Sequence, residues 1–256
     1  MIADIQVESQ TTDEEAERYG VLAQVARAQG LVYAEATAQE IEALGRRSAA
    51  VKCDVSDRDQ VAATVARVVE ELGSLDILVN NAGTLDHLAQ LRDQSPELWE
   101  RDLRVNLTGA FNCCQAVWPH MVERGFGRIV NVTSSSGKRP SSSNMSYSVG
   151  KAAQLSLSRA FADLYAKRGV LVNSVAPGPV ESGLWMDEGG LLDQLARVRG
   201  ASREETLKRQ SAGVPIGRYA SEEEIASVIV FLCSERASYV AGAAWSVDGG
   251  TVQVII

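Results

Sequence analysis

The chain has 256 residues, a formal net charge of −8, 45% hydrophobic residues and 23% charged residues. This length is enough to bury the core of one large α/β domain, and the composition is ordinary for a globular protein. The sequence has no basic patch, no apolar run of the roughly 18 residues that a membrane span needs, and no secretory signal in its acidic, polar start. Nucleic-acid binding and membrane insertion are therefore not expected.

The cysteines and histidines do not form a recognisable metal or disulfide pattern. No pair of cysteines has CxxC spacing and two are adjacent, so we interpret all four as reduced thiols of a cytoplasmic protein. His87 and His120 are too few for a His-based metal site, and we interpret each as a surface or packing residue, which also disfavours a Ser-His-Asp hydrolase. The cysteines are Cys53, Cys113, Cys114 and Cys233.

The first 45 residues differ in character from the rest of the chain. The apolar run IADIQV is a strand candidate, residues 12–29 have a helical pattern, and LVYAEA is a second strand candidate. Thr12 and Glu15 have the spacing of a capping box at the start of that helix. The intervening segment ESQTTDEEAE is acidic, so it would repel a phosphate group.

After residue 46, short β-branched apolar runs alternate with helical patterns, which predicts parallel strands covered by helices on both faces. We therefore predict an α/β fold: a Rossmann-type, doubly wound parallel sheet in three layers, with residues 1–256 as a single domain. The predicted strands are 75–80, 127–134, 170–177 and 243–250, and the predicted helices are 57–72, 96–123, 147–168 and 221–234.

Residues 183–213 interrupt this alternation after the strand 170–177. Long excursions at the carboxyl end of a strand commonly form lids or binding loops in α/β proteins. Trp185 and Met186 would give such a substrate lid an apolar wall, but packing of the lid against the body of the protein explains them equally well.

A tyrosine and a lysine begin the predicted helix 147–168. Tyr147 and Lys151 are four residues apart, so both side chains project from one face of the helix. An ammonium group close to a phenol favours the phenolate, and a tyrosine tuned in this way can exchange a proton with a carbonyl or an alcohol. The YxxxK pattern alone is common by chance, so its meaning depends on the neighbouring residues.

Polar or small residues follow several predicted strands, where α/β proteins bind their ligands. Ser134 lies 13 residues before Tyr147, so the intervening loop can return its hydroxyl to the start of the helix. Asn106 lies inside the predicted helix 96–123, where a polar side chain usually packs or caps unless something binds it. The other strand ends are CDVSD (53–57), NNAG (80–83) and PGPVES (177–182).

Together, the motifs NNAG, Ser–Tyr–Lys, PG and VDGG, in that order, resemble the short-chain dehydrogenase/reductase family over about residues 46 to 250. The resemblance implies hydride transfer between a nicotinamide cofactor, NAD or NADP, and a small-molecule secondary alcohol or ketone. A 3-oxoacyl-acyl-carrier-protein-reductase-like activity is one form of this reaction. The resemblance implies no metal, and it implies a homotetramer or homodimer assembled through helices 96–123 and 147–168.

The resemblance also implies roles for individual residues. Tyr147 would be the general acid/base, Lys151 would bind the nicotinamide ribose and lower the pKa of Tyr147, and Ser134 would hold the substrate oxygen. Asn106 would kink its helix and keep a water that links Lys151 to solvent. The residues that match the family's cofactor contacts are Asp54, Val55, Asn81, Ala82, Gly83, Pro177, Gly178, Val180 and Ser182, with Tyr147 and Lys151.

The chain departs from the family in lacking the TGxxxGxG loop that binds the pyrophosphate. In one alternative, IADIQV is the first strand, residues 12–29 form the first helix, LVYAEA is the second strand, and ESQTTDEEAE replaces this loop. In the other, which we favour, IADIQVES is the family's second strand, the first βα unit is missing, and residues 8–30 are an insertion before the helix in ATAQEIEALG. Asp4 would then bind the adenosine ribose and favour NAD over NADP.

Two functional hypotheses follow. The first is a cytoplasmic NAD(P)-dependent oxidoreductase. The second, motivated by the missing glycine loop, is a cofactor-deficient, non-catalytic scaffold or binding protein. An epimerase or dehydratase of the extended family shares the YxxxK spacing but usually has a longer C-terminal domain.

Overall fold

The strands form two parallel sheets in the computed structural model, which describes residues 1–19, 21–28, 32–85, 88 and 93–253. The strands are β1 (Ile2–Asp4), β2 (Ala50–Lys52), β3 (Ile77–Asn80), β4 (Gly127–Val132), β5 (Val170–Pro177) and β6 (Ala244–Val247). Strands β1 and β2 form a two-stranded sheet, and the others form a four-stranded sheet in the order β3-β4-β5-β6. All pairs are parallel, as the alternating sequence pattern predicted.

Helices connect successive strands. They are α1 (Asp13–Tyr19), α2 (Val21–Ala28), α3 (Ala34–Ala43), α4 (Arg58–Leu72), α5 (Pro96–Leu103), α6 (Ala110–Arg124), α7 (Ser135–Lys138), α8 (Met145–Tyr165), α9 (Gly183–Met186), α10 (Leu191–Arg199), α11 (Arg203–Ala212) and α12 (Glu222–Cys233). A π-helical turn, Arg104–Gly109, joins α5 to α6, so the predicted helix 96–123 is continuous but locally widened.

The four-stranded sheet is the centre of the molecule. Every residue of β4 is buried, and β5 is buried along most of its length, as expected for β-branched strands covered on both faces. One apolar cluster packs side chains of α4, α6 and α8 beneath the sheet, and a second packs α12 against the other face. This three-layer arrangement confirms the predicted Rossmann-type fold.

The N-terminal segment forms part of the small sheet. Strand β1 pairs with β2 from Ile2 opposite Ala50 to Asp4 opposite Lys52, which is the order required by our favoured alternative. The strand that the other alternative places at LVYAEA is wrong, because Ala34 begins helix α3, in which alanine and glutamate are strong helix formers. The predicted capping box is present, since Glu15 N donates to Thr12 Oγ1 and Thr12 N to Glu15 Oε2.

No strand in the described part of the chain joins the two sheets, so β3 is an edge. Its side chains Ile77 and Val79 are 49% and 39% exposed, which is unusual in a parallel sheet. The segment after β2 is tied instead to α6 and to the π-helical turn. Asn112 Nδ2 donates to Val55 O at 3.1 Å, and a Cβ on Gly109 would lie 2.5 Å from Val55 Cγ2.

The excursion after β5 forms α9, α10 and α11. Trp185 contacts the buried Tyr219 ring edge-on at 5.4 Å between centroids, so this side chain packs against the body of the protein. Arg203 ties α11 to α10 by its 2.6 Å ion pair with Asp193. No helix among the described residues combines the length and apolarity needed to cross a bilayer.

Candidate active site

The carboxyl ends of β3, β4 and β5 bring the predicted motifs to one edge of the large sheet. Asn81, Ala82 and Gly83 follow β3 and are exposed. Ser134 follows β4, and Pro177 is the last residue of β5. Because strands of a parallel sheet end on the same side, residues far apart in sequence meet here.

Lys151 is a buried cation on the second turn of α8. Its residue is only 3% exposed, and its Nζ donates to Val132 O at 2.9 Å and Gln154 Oε1 at 3.3 Å. Burial lowers the pKa of Lys151 to about 8, because an ammonium group removed from water loses its hydration. Nζ lies 5.7 Å from the centroid of the Tyr147 ring, so both side chains occupy one face of α8 as the spacing predicted.

The phenol of Tyr147 is not acidified in this structure. Burial raises the pKa of Tyr147, the hydrogen bond with Ser134 lowers it, and the negative charge of Asp102 raises it. Desolvation of the phenolate is the largest of these contributions. The expectation that the Lys151 ammonium lowers this pKa stays a prediction.

Asn106 occupies the centre of the π-helical turn and is fully buried. Its Nδ2 donates to Thr84 O at 2.8 Å, and its Oδ1 accepts from Thr84 N at 3.2 Å. Asn106 therefore fastens the segment after β3 to the helix, and the extra residue of the π turn directs its side chain there. A Cβ on Gly83 would lie 2.9 Å from Asn106 Oδ1 and 3.5 Å from Lys151 Nζ, so only glycine fits between them.

Ser134 is held where the strand becomes a helix. It is 8% exposed and caps α7, its Oγ accepting from Ser136 N at 3.1 Å. Helix α7 packs tightly on α8, because a Cβ on Gly137 would lie 2.9 Å from the carbonyl carbon of Lys151. The arrangement fixes the serine hydroxyl and the tyrosine relative to each other.

Other predicted cofactor residues lie on both sides of this cluster. Gly178 follows β5 so closely against β6 that a Cβ would be 2.8 Å from Asp248 Cα. Val180 forms an isolated bridge with Ala220, and Ser182 precedes α9 without a side-chain capping bond.

Asp4, Asp54 and Val55 lie at the carboxyl end of the small sheet. Asp4 is exposed and its Oδ1 accepts from Gln6 N at 2.9 Å; the groups crowded around it raise its pKa by desolvation. Asp54 Oδ1 accepts from Ser56 N at 2.8 Å, so this carboxylate closes a turn. Val55 faces Gly109 of the π turn.

The residues around Lys151 fit the nicotinamide end of a cofactor. The buried Lys151 ammonium is a donor for ribose hydroxyls, and the exposed backbone at Asn81–Gly83 can lie against the ribose and the amide. For the pyrophosphate end of the cofactor, the described residues contain no glycine-rich loop. The Glu8 carboxylate, rather than a phosphate, accepts hydrogen bonds from the N-terminal amides of α3, Glu35 N and Ala36 N.

The thiols take no part in this site. Burial raises the pKa of both Cys113 and Cys114 to about 12, so neither thiol is a nucleophile near neutral pH. His120 lies in a groove between α4 and α6 beside Val65 and Val69, and His87 lies outside the described residues.

Comparisons with known proteins agree with this geometry. A family model described as enoyl-(acyl carrier protein) reductase matches residues 21–252. The chain belongs to the short-chain dehydrogenase/reductase family. As a member of this family it is an oxidoreductase, which favours the first functional hypothesis over the non-catalytic one.

Two curated members of the short-chain dehydrogenase/reductase family illustrate the similarity. The chain is 39% identical over 225 residues to cis-4-hydroxycyclohexanecarboxylate dehydrogenase of Sinomonas cyclohexanicum, covering 86% of this chain and 83% of that protein. It is 36% identical over 199 residues to acetoacetyl-CoA reductase of Rhizobium meliloti, covering 78% and 77% respectively.

Solved structures of the family give the same fold. A single-residue variant of actinorhodin polyketide ketoreductase with NADPH has a TM-score of 0.79 and 34% identity, covering 85% of this chain and 83% of that one. NAD+-bound xylitol dehydrogenase has a TM-score of 0.80 and 28% identity, covering 85% and 84%.

Sequence reasoning about this family member missed two residues of the site, Asp102 and Ser146. Both are buried, and the Ser146 hydroxyl donates a hydrogen bond to Asp102 Oδ2. The available signal was an aspartate four residues before Asn106, on the face of a helix that has to pack against the sheet.

Proposed function

We propose that this family member interconverts a secondary alcohol and a ketone with NAD(P), and that Tyr147 is its general acid/base. The observation that carries the proposal is the convergence of Tyr147, Ser134, Lys151 and Asn106 on the carboxyl edge of the large sheet, with Gly83 pressed between two of them. Bound there, the nicotinamide would supply or accept the hydride.

The chain's own residues handle the oxygen and its proton. In the reduction direction, Tyr147 donates its phenolic proton to the carbonyl oxygen while Ser134 donates a hydrogen bond to the same oxygen. The raised pKa of Tyr147 keeps the phenol protonated near neutral pH, which suits this direction. Lys151 would bind the ribose, and Asn106, through its hydrogen bonds with Thr84, would hold the segment after β3 beside it.

The substrate and lid assignments rest on the relatives and on the excursion after β5. The named relatives act on a hydroxycyclohexanecarboxylate and on acetoacetyl-CoA. A 3-oxoacyl-acyl-carrier-protein-reductase-like activity is supported by relatives with that name in Staphylococcus aureus, which are 36% identical over 218 residues. Residues 183–213 would act as the substrate lid of a single domain, with Met186 on its apolar wall.

For the cofactor, Asp4 favours NAD, because a carboxylate at the end of this strand accepts hydrogen bonds from an adenosine ribose and repels a 2′-phosphate. Asp54, Val55, Asn81, Ala82, Pro177, Gly178, Val180 and Ser182 would line the remaining cofactor surface. We expect the enzyme to work in the cytoplasm as a homotetramer or homodimer. The Asp4→Ala variant should use NADPH better relative to NADH.

The proposal is tested with Tyr147→Phe, which removes the proton donor and preserves the ring. Turnover of acetoacetyl-CoA or of cis-4-hydroxycyclohexanecarboxylate should fall roughly 10²- to 10⁴-fold. Binding of NADH, measured by calorimetry, should persist. The fully exposed Tyr239 provides the matched control, and Tyr239→Phe should keep wild-type activity. Undetectable NADH and NADPH binding by the unaltered chain would instead favour a non-catalytic scaffold.

A further inference from the structure

Asp102 is a buried carboxylate on the last turn of α5 that faces α8. It is 6% exposed and lies one turn before Asn106 on the same side of the helix. The contact is close, because a Cβ on Gly150 of α8 would lie 3.4 Å from Asn106 Cβ and 3.9 Å from Asp102 O. A carboxylate at such a helix contact requires hydrogen-bond donors to offset its desolvation.

Ser146 supplies one of these donors at the start of α8. Its hydroxyl donates to Asp102 Oδ2 and accepts from Gln94 Nε2 at 3.1 Å. Ser146 is 2% exposed and is the residue immediately before Tyr147. The hydrogen bond therefore fixes the helical turn from which the Tyr147 phenol projects.

The other described charges on elements packed against α8 are directed elsewhere or are countered. Lys151, on α8 itself, is bound by Val132 O and Gln154. Lys138 of α7 donates to Ala244 O and Ser246 Oγ, at the far side of β6. On α5 and the π turn, Glu97, Glu100 and Arg104 are exposed and Arg101 is half-buried. Strand β5 has no charged residue. The remaining charged groups lie at the opposite end of the sheet, and they are His120, Glu123 and Arg124 of α6, Arg128 of β4, and Lys167 and Arg168 after α8.

We propose that Asp102 is a positioning residue for Tyr147: through Ser146 it fixes the first turn of α8, and it places a negative charge beside the phenol. This inference rests on the proposed role of Tyr147 as general acid/base. Repulsion between the Asp102 carboxylate and a Tyr147 phenolate favours the protonated phenol, in agreement with the contribution of Asp102 to the raised pKa of Tyr147. Asp102 thereby raises the pH at which Tyr147 becomes a base for alcohol oxidation.

The test uses Asp102→Asn, which removes the charge and keeps both the side-chain volume and an acceptor for Ser146. In the alcohol-oxidation direction, the pH at which kcat reaches half its maximum should fall by roughly one unit. Glu100→Gln, on the exposed side of the same helix, is the matched control and should leave the pH profile unchanged.

A second readout does not depend on turnover. The difference in tyrosinate absorbance between a protein and its Tyr147→Phe counterpart isolates the titration of Tyr147, and this titration should also move to lower pH in Asp102→Asn. A chain with no turnover but a shifted titration would refute the proposed function and retain only the electrostatic effect of Asp102 on the Tyr147 phenol. An active, folded Asp102→Asn protein with both profiles unchanged would refute the inference alone.

Ser146→Ala tests the positioning part and replaces Asp102→Asn if that variant does not fold. The charge remains but the first turn of α8 loses its link, so kcat of the folded variant should fall several-fold with KM nearly unchanged. The unfolding midpoint should also fall, because the buried Asp102 carboxylate loses a hydrogen-bond donor. Wild-type kcat in Ser146→Ala would show that the hydrogen bond does not position Tyr147.

Discussion

Lys151 is a buried positive charge, and neither of its two hydrogen-bond acceptors is a carboxylate. The acceptors that hold it, Val132 O and Gln154 Oε1, are neutral, and burial lowers the pKa of Lys151 to about 8. Because each unit of pKa corresponds to about 1.4 kcal/mol and this pKa falls from 10.5 to about 8, keeping the ammonium charged at neutral pH costs roughly 3–4 kcal/mol. The residue is thus placed for function at the expense of stability.

This cost predicts that Lys151→Met is inactive yet more stable than the wild type by about 1–3 kcal/mol at pH 7. A lowered pKa means that wild-type stability rises as the pH increases from about 8 toward the unfolded value of 10.5, and this rise should be absent in Lys151→Met. Urea unfolding at pH 7 and pH 10 measures both effects. The exposed Lys167 is the control, and a Lys151→Met protein no more stable than Lys167→Met would contradict the argument.

At this scale the sequence predicts residues whose spacing is local. Ser134, Tyr147 and Lys151 could be placed because a strand end, a loop of known length and one helical turn determine where they lie. The effect of burial on the phenol could not be predicted, since it depends on the packing around Tyr147. The contact between Asp102 of α5 and Ser146 of α8 could not be predicted either, because the sequence does not show which helices pack together.

The helical segment from α5 to α6 likewise shows that a local sequence pattern does not reveal the effects of packing against other elements. Its apolar pattern correctly predicts a helix over 96–123, but the π-helical turn at Arg104–Gly109 depends on a partner outside it. Asn106 reaches the Thr84 backbone only because β3 ends beside the helix. A strand was wrongly predicted at LVYAEA for a related reason: short apolar runs do not distinguish a strand from a helix start.

The tight fit of Gly83 between elements makes a specific prediction. In Gly83→Ala, the new methyl would lie 2.9 Å from Asn106 Oδ1, so the Asn106 side chain, which is hydrogen-bonded to the Thr84 backbone, must shift. We expect kcat to fall about tenfold or more, because small displacements of catalytic groups are costly. Steady-state kinetics with circular dichroism measures this, since the exposed segment after β3 contributes little to the core.

Gly73→Ala is the matched control for Gly83→Ala. Gly73 caps α4 at a φ of 91°, and no atom lies within 4 Å of the place that a Cβ would take, so an alanine there strains the backbone without touching the site. It should lose about 1 kcal/mol of stability and keep its kcat. Equal losses of kcat in both variants would mean that Gly83 has no special contact with the site.

The whole molecule is divided unequally between its two sheets. The motifs from NNAG to VDGG lie along the large sheet, whose parallel strands the alternation of strands and helices predicts. The sequence did not determine that β1 pairs with β2, because the apolar run IADIQV could be either the first or the second strand of the family's fold. The exposed side chains of β3 follow from this pairing, since no described strand lies beside that edge.

This division predicts that the small sheet opens more readily than the large one. It has three residue pairs between β1 and β2, whereas β4 is buried throughout and pairs on both sides. Native-state hydrogen exchange followed by mass spectrometry should show amides of 50–53 exchanging about tenfold or more faster than those of 129–132. Equal protection in both sheets would show that they unfold as one cooperative unit.

The Lys52–Glu15 ion pair gives this prediction a local control. At 2.6 Å it ties β2 to α1, and the pairing with Lys52 lowers the pKa of Glu15 to about 2, so the carboxylate is charged at the pH of the experiment. Glu15→Gln should accelerate exchange in 50–53 and leave 129–132 unchanged, because the pair braces only the small sheet. Glu71→Gln, which removes an exposed pair with Arg67 on α4, should change neither segment. Faster exchange in both sheets of Glu15→Gln would mean that α1 stabilises the whole fold rather than β2.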